Sequence, residues 1–154
     1  MPSMSGRGEA WVVAQGLLFL AYLLAPRLGT WGWPLRVIGA LIGAPLLLTG
    51  LIFVGYGIRG LGKALSPFPV PNQDGALVTE GIYGCVRHPI YGGIVMASLG
   101  FALITGSLGR LLLSFALLGF FAAKSDVEEA WLVERYPDYP SYQARVRRML
   151  PGIW

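Results

Sequence analysis

The sequence predicts an all-α integral membrane protein with about four transmembrane helices and a cytoplasmic C-terminal amphipathic helical segment. Hydrophobic residues make up 55% of the 154 residues and charged residues only 13%, which is typical of membrane proteins. The apolar residues gather in four runs that predict membrane helices. We interpret residues 1–154 as a single domain. The one cysteine excludes an internal disulfide framework and a multi-cysteine metal site, and no metal is predicted.

The first two apolar runs, residues 10–25 and 35–58, predict the first two membrane helices. The first run carries no charge and ends at Pro26. At ~1.5 Å per residue it spans roughly 24 Å, so flanking residues must complete a crossing of ~30 Å. A signal peptide is the alternative for this run, although no good cleavage site follows it. In the second run, Gly39 and Gly43 are expected to allow close approach of another helix.

The third and fourth runs, residues 90–105 and 108–123, are separated by two residues and predict two further helices. No glycine or proline follows the fourth run before Pro137, so its helix should project out of the bilayer to about Arg135. The segment SYQARVRRML, residues 141–150, predicts a second short amphipathic helix. Its arginines would be available to anionic lipid headgroups.

The distribution of charges predicts the orientation. With the N-terminus in the cytoplasm, nine of the 12 basic residues lie inside, as the positive-inside rule requires. These nine are Arg7, Arg59, Lys63, Arg87, Lys124, Arg135, Arg145, Arg147 and Arg148, and the other three are Arg27, Arg36 and Arg110. All acidic residues and the single histidine fall on the same side, so both termini and any chemistry are expected to be cytoplasmic. The basic and aromatic clusters of a nucleic-acid-binding face are missing, so membrane lipids and not nucleic acids are the expected partners.

The most unusual stretch is EGIYGCVRHPIYGGIV, residues 80–95, where polar residues collect at the mouth of an apolar run. Taken singly, Arg87 could snorkel to phosphates and His88 could be an interfacial residue. Lys124 and Glu128 lie four residues apart on one helix face and on the same side of the membrane. Together these groups combine cationic, anionic and aromatic side chains beside a helix N-terminus, which offers unpaired N–H groups to anions. The expected ligand is zwitterionic, with a carboxylate and a sugar.

Three features on the same side of the membrane have simpler structural interpretations. Lys124 and Glu128 could form only a structural salt bridge, although lysine before glutamate is the weaker order on a helix. Glu129 is expected to face solvent. The segment GYGIRG, residues 55–60, matches a dinucleotide fingerprint but ends a helix where that fingerprint must follow a strand, so its glycines are interpreted as packing residues.

Three sequence elements resemble one family: LVTEGIYGCVRHPIYGG, the SPFP before it, and the later pattern K-S-D-V-E-E-A-W-L-x-x-x-Y-P-x-Y-x-x-Y-x-x-x-V. They are similar to the isoprenylcysteine carboxyl methyltransferases, which are related to the membrane phospholipid methyltransferases. The resemblance covers about residues 55–154. It implies an integral membrane methyltransferase that uses S-adenosyl-L-methionine (SAM) without a Rossmann domain, with a cofactor-binding part at about residues 63–154. It also implies a lipid-like or prenylated acceptor, most directly the carboxylate of an isoprenylcysteine.

The same resemblance implies the site residues. Cofactor binding would involve Gly75, Ala76, Leu77, Val78, Tyr83, Arg87, His88, Pro89, Ile90, Tyr91 and Glu128. Lys124 matches a family arginine that meets the substrate, so Lys124 and Glu128 are the predicted catalytic residues. The implied reaction is direct displacement of a sulfonium methyl group, without a metal or a covalent enzyme intermediate.

The chain departs from the family pattern at three positions. Ile82 and Gly84 stand where a proline and an arginine are common, and Lys124 lacks the planar fork with which arginine grips a carboxylate through two bonds. Alternative acceptors are therefore a phospholipid, an amine or a small thiol. A sterol-reductase-like enzyme using NADPH and a non-enzymatic helical membrane protein are alternatives from other classes.

Overall fold

The computed structural model describes residues 8–26, 28–69 and 76–152, and the regular structure in these ranges is helical. The α-helices are α1 (Glu9–Leu24), α2 (Leu35–Leu61), α3 (Pro89–Thr105), α4 (Leu108–Arg135) and α5 (Tyr139–Arg145). Two short 3₁₀ helices cover Gly62–Ala64 and Gly81–Gly84. The β pairing of the described ranges is one isolated bridge between Val86 and Arg147. The predicted all-α class is confirmed.

Two helical stretches are long and apolar enough to cross a membrane, Leu35–Ala64 and Leu108–Arg135. Only 17% and 28% of their most apolar windows are buried, so neither resembles the core helix of a soluble protein. The shorter helices α1 and α3 are also apolar. Large side chains such as Leu23 and Leu41 are 72% and 70% exposed. A large exposed apolar surface of this kind is typical of a surface that faces lipid, so the structure supports a membrane protein.

Helices α2 and α3 run antiparallel and pack through glycines. The buried residues of α2 are all glycines, at positions 39, 43, 50 and 57. A β-carbon at Gly43 would lie 2.5 Å from the carbonyl oxygen of Gly100, and one at Gly50 would lie 2.5 Å from that of Gly93. The backbones can therefore approach closely only because these side chains are missing. The close approach predicted at Gly39 and Gly43 is confirmed.

Short connections and one long-range hydrogen bond place the other helices. Gly106 ends α3 with a φ of 61°, a left-handed conformation that glycine adopts without strain. The hydroxyl of Ser107 then caps α4 by accepting from the Arg110 N–H at 3.3 Å. Helix α1 packs beside α3 and α4, where the Tyr22 hydroxyl donates to the Ser98 carbonyl at 2.5 Å.

The C-terminal segment differs from the prediction. The predicted second short helix is present as α5, but it covers Tyr139–Arg145, so its predicted extension to residue 150 was wrong. The chain beyond it runs beside the segment before α3. The N–H of Arg87 donates to the Arg147 carbonyl, and the N–H of His88 donates to the Arg148 carbonyl, both at 2.8 Å. These backbone bonds replace helical ones and fix the segment against the start of α3.

Candidate active site

A cavity of about 320 Å³ lies at the end of the bundle where α3 begins. Ten residues predicted for the site line this cavity: Ala76, Leu77, Val78, Tyr83, Arg87, His88, Ile90, Tyr91, Lys124 and Glu128. Pro89 begins α3 and is fully buried, beside Gly57 of α2, and it is not part of the cavity wall. Gly75 lies outside the described residues. The fold therefore brings together residues that are about 50 positions apart in the chain.

The wall also contains residues that the sequence did not assign to the site. They are Gln15, Ile58, Leu61, Ala64, Leu65, Ser66, Pro67, Phe68, Ile94, Leu132, Tyr136, Tyr139 and Tyr142. Most are apolar and come from the end of α2 and the loop after it. The tyrosines belong to the Y-P-x-Y-x-x-Y pattern, and the three-residue spacing of Tyr139 and Tyr142 puts them on one face of α5. That pattern could have indicated these tyrosines as site residues.

Glu129 is the centre of a buried polar network, so the expectation that it faces solvent was wrong. Its side chain is 5% exposed. The carboxylate accepts from Arg87 Nε at 2.8 Å and from Gln143 Nε2 at 2.7 Å, and it lies 2.9 Å from His88 Nε2. Because an ionised carboxylate can only accept, His88 carries a proton on Nε2. Arg148 Nη2 lies 3.5 Å from the same carboxylate.

Arg87 joins three parts of the chain. Its guanidinium contacts both Glu129 oxygens, with Nε at 2.8 Å from Oε1 and Nη2 at 3.3 Å from Oε2. Nη1 donates to the Gln143 carbonyl at 3.1 Å and to the Val146 carbonyl. The side chain is therefore directed to α4, α5 and the C-terminal segment, and its contacts explain the arginine at this position without a lipid headgroup.

Glu128 lies on the cavity side of α4. The Tyr91 hydroxyl donates to Glu128 Oε2 at 2.8 Å, and His88 Nδ1 lies 3.8 Å from the same oxygen. The Tyr91 ring stacks between His88, at 5.4 Å between ring centroids, and Phe121, at 4.7 Å. The hydrogen bond that the described residues make to Glu128 uses one oxygen, so the other can accept from a ligand.

Lys124 is fully buried at 1% exposure. Its ammonium donates to Gln15 Oε1 at 2.7 Å and to the Pro67 carbonyl at 2.8 Å. It also lies 5.4 Å from the centre of the Tyr91 ring. Within the described ranges no salt bridge joins Lys124 to Glu128, so the interpretation of this pair as a structural salt bridge is wrong.

Two further tyrosines of the wall, Tyr83 and Tyr142, donate hydrogen bonds to backbone carbonyls. The Tyr83 hydroxyl donates to the Gly57 carbonyl at 3.1 Å, and the Tyr142 hydroxyl donates to the Tyr83 carbonyl at 2.6 Å. Burial raises the pKa of Tyr83 and of Tyr139 far above the ordinary phenol value. Burial likewise raises the pKa of Tyr142 to about 12. Tyr83, Tyr139 and Tyr142 therefore present uncharged rings to the cavity at neutral pH.

An apolar helical bundle with a mixed-charge cavity at one end is the architecture of a membrane-type protein. Residues 38–139 match the phospholipid methyltransferase family. The match covers more than half of the chain, and the protein therefore belongs to this family. A methyltransferase requires a methyl donor, so the family implies such a ligand.

Named relatives agree with the family. The chain is 40% identical over 84 residues to Protein-S-isoprenylcysteine O-methyltransferase of Schizosaccharomyces pombe, which is 53% of this chain and 36% of that protein. It is 30% identical over 122 residues to Methanethiol S-methyltransferase of Pseudomonas deceptionensis, which is 70% of this chain and 46% of that protein. It is 29% identical over 128 residues to Cobalt-zinc-cadmium resistance protein CzcN of Cupriavidus metallidurans, which is 81% of this chain and 53% of that protein.

The chain thus spans about half or less of the length of these relatives. The first of them confirms the resemblance to isoprenylcysteine methyltransferases that the three sequence elements within residues 55–154 predicted.

Proposed function

We propose that this protein is an integral membrane enzyme that transfers the methyl group of SAM to a membrane-associated acceptor, most directly the carboxylate of an isoprenylcysteine-like substrate. The observation that carries the proposal is the cavity, where the buried ammonium of Lys124 and the carboxylate of Glu128 face an apolar and aromatic wall. Membership of a methyltransferase family and the isoprenylcysteine methyltransferase relatives support the choice of reaction and acceptor.

The proposed arrangement in the membrane has four crossings, formed by α1 to α4, with both termini and the cavity at the cytoplasmic face. The lengths of α2 and α4 support it. So does the position of the charges, because Arg87, Lys124 and Glu129 meet at one end of the bundle. Arg36 and Arg110 lie at the first turns of α2 and α4, which form the opposite end.

The cavity residues fit SAM, which carries an ammonium, a carboxylate, a sulfonium and a ribose. The open oxygen of Glu128 would accept from the ammonium or from a ribose hydroxyl. The rings of Tyr83 and Tyr91 offer π faces to adenine or to the sulfonium. The first N–H of α3 with a helical partner is that of Gly92, which donates to the His88 carbonyl at 3.0 Å. The N–H groups of Ile90 and Tyr91 precede it and would suit the carboxylate. Ala76, Leu77 and Val78 would complete the site.

When bound, SAM supplies a methyl group on a sulfonium leaving group. The protein would position the acceptor and provide a water-excluding environment for the reaction. Lys124 would hold an acceptor carboxylate in its ionised, nucleophilic form, and the apolar wall would exclude the water that weakens it as a nucleophile. Alignment of two reactants in such a cavity lowers the barrier by on the order of 7 to 11 kcal/mol. The Glu129 network would keep Arg87 and His88 in place during the reaction.

The experiment that tests the proposal is methyl transfer from radiolabelled SAM to N-acetyl-S-farnesylcysteine by the purified protein in lipid nanodiscs. A carboxyl methyl ester releases its label in alkali, whereas a methylated thiol or amine does not. The proposal predicts an alkali-labile product. An alkali-stable product from a small thiol would instead establish S-methylation, the activity named for the relative from Pseudomonas deceptionensis. The variant Lys124→Ala should reduce transfer more than it reduces SAM binding.

A further inference from the structure

We propose that Gln15 and Lys124 together form a two-pronged clamp for the carboxylate of the methyl acceptor. The inference rests on the proposed function and deepens it, because it assigns a residue of α1 to the acceptor site. Helix α1 contributed nothing to the family resemblance. The contact that carries the inference is the 2.7 Å hydrogen bond between Lys124 Nζ and Gln15 Oε1, two residues that both line the cavity.

Lys124 is the cation in the wall that can meet an anionic acceptor. The guanidinium of Arg87 is engaged by Glu129 and by two backbone carbonyls, and His88 directs Nε2 to the same carboxylate. An ammonium has three N–H donors. Within the described part of the chain Lys124 uses two of them, on Gln15 and on the Pro67 carbonyl, so one remains for a ligand.

The chemistry of the bond fixes the orientation of the Gln15 amide. An ammonium can only donate, so the amide oxygen must face Lys124 and the NH₂ group must point elsewhere. Within the described ranges, the buried side-chain atoms that lack a partner belong to Arg110. In the same ranges the Gln15 NH₂ group donates no hydrogen bond to the protein, so this group is accessible and not sealed in the interior, and Gln15 lines the cavity. The clamp takes this NH₂ group as its second donor, beside the remaining N–H of Lys124.

Two adjacent donors are what a carboxylate needs. An arginine presents two parallel N–H groups to the two oxygens of a carboxylate, whereas an ammonium is a single point charge. Lys124 with Gln15 offers one charged and one neutral donor, coupled through their own hydrogen bond. The pair thus replaces the fork that a lone lysine lacks. No proton moves to the acceptor, which stays ionised and able to attack the methyl group.

Equilibrium binding of two probes tests the clamp. N-acetyl-S-farnesylcysteine and its methyl ester differ only at the carboxylate, and each is titrated into protein saturated with S-adenosylhomocysteine. The wild type should prefer the acid. Gln15→Leu should weaken acid binding roughly tenfold, because one hydrogen bond to a charged group is lost, and should leave ester binding unchanged.

Two further variants separate a direct contact from a merely structural role. Gln15→Glu can still hold Lys124, and holds it more tightly, but it places a negative charge beside the acceptor. The clamp predicts that it weakens acid binding more than Gln15→Leu does, whereas a structural role predicts that acid binding is preserved. In the Gln15→Leu background, Lys124→Arg should restore the preference for the acid, because arginine supplies both donors itself.

Equal affinity of the wild type for acid and ester would overturn the clamp but would not contradict the proposed SAM site. An unchanged preference for the acid in Gln15→Leu would do the same. Failure of the wild type to bind S-adenosylhomocysteine would be a different result, since it would overturn the proposed function and the clamp with it.

Discussion

Replacing Glu129 by glutamine tests the buried network most sharply, because the substitution removes a charge while it keeps the shape. Glu129 and Arg87 have side chains that are 5% and 9% exposed. In Glu129→Gln the guanidinium of Arg87 loses its counter-charge. The new NH₂ group meets a donor whichever way the amide is turned, from His88 at the Oε1 position or from Gln143 at the Oε2 position. We therefore expect a large loss of stability.

The magnitude follows from this burial. Removing one partner of a buried ion pair costs about 3 to 5 kcal/mol, because the remaining charge is left uncompensated. A glutamate that faces solvent, as the sequence predicted for Glu129, would change stability by only about 0.5 kcal/mol or less. The two interpretations thus differ by several kcal/mol.

The assay is unfolding of the purified protein in mixed detergent micelles, with the free energy of unfolding compared between variants. Glu134→Gln is the matched control, because Glu134 lies on the same helix, is exposed and loses the same charge. We expect Glu129→Gln to be destabilised by about 3 to 5 kcal/mol relative to this control. Equal stability of the two variants would refute the network as the structure shows it.

Two more predictions concern packing and pH. Gly93→Leu should separate α2 from α3 and lower the unfolding temperature, because a β-carbon at this position would lie 2.6 Å from the Gly50 carbonyl oxygen. Gly55→Leu should be tolerated, because a β-carbon there meets no atom of the described residues within 4 Å, and thermal unfolding compares the two variants. Tyr142 has its pKa raised from 10.0 to about 12, so the stability from its hydrogen bond to Tyr83 is present below about pH 10 and lost as the pH rises towards 12. Alkaline unfolding curves should show less of this loss in Tyr142→Phe, and identical curves would contradict the assignment.

The helices could be predicted closely because their ends coincide with local signals. The first helix ends before Pro26, and the turn between the third and fourth helices falls at Gly106, where the chain needs a left-handed residue. Apolar runs define such elements without knowledge of the tertiary structure. The glycines at positions 39 and 43 were found for the same reason, since small residues spaced by four mark one helix face.

The buried network could not be predicted, because it depends on contacts between distant parts of the chain. Glu128 and Glu129 are adjacent and chemically alike, and only the position of Arg87, 42 residues from Glu129, decides which of them is buried. The end of α5 also depends on a distant contact. The residues after Arg145 include no helix-breaking glycine or proline before Pro151, but their carbonyls accept hydrogen bonds from the segment before α3. The local sequence pattern reveals neither the Arg87–Glu129 contact nor these backbone hydrogen bonds.

Gln15 had a weaker signal that was available. It is the one amide in the apolar run at residues 10–25, and a polar side chain within a membrane helix needs a partner. The partner, Lys124, is 109 positions away and emerges only from the packing of α1 against α4.

Calorimetric titration of the detergent-purified protein with S-adenosylhomocysteine, with NADPH titrated in parallel, tests the central claim most directly. We predict that S-adenosylhomocysteine binds, that NADPH does not, and that Glu128→Ala abolishes or strongly weakens the binding. Binding of NADPH alone would contradict the account in favour of a reductase. Binding of neither ligand would contradict the assignment of the cavity beside Tyr91 and Glu128 as a methyl-donor site.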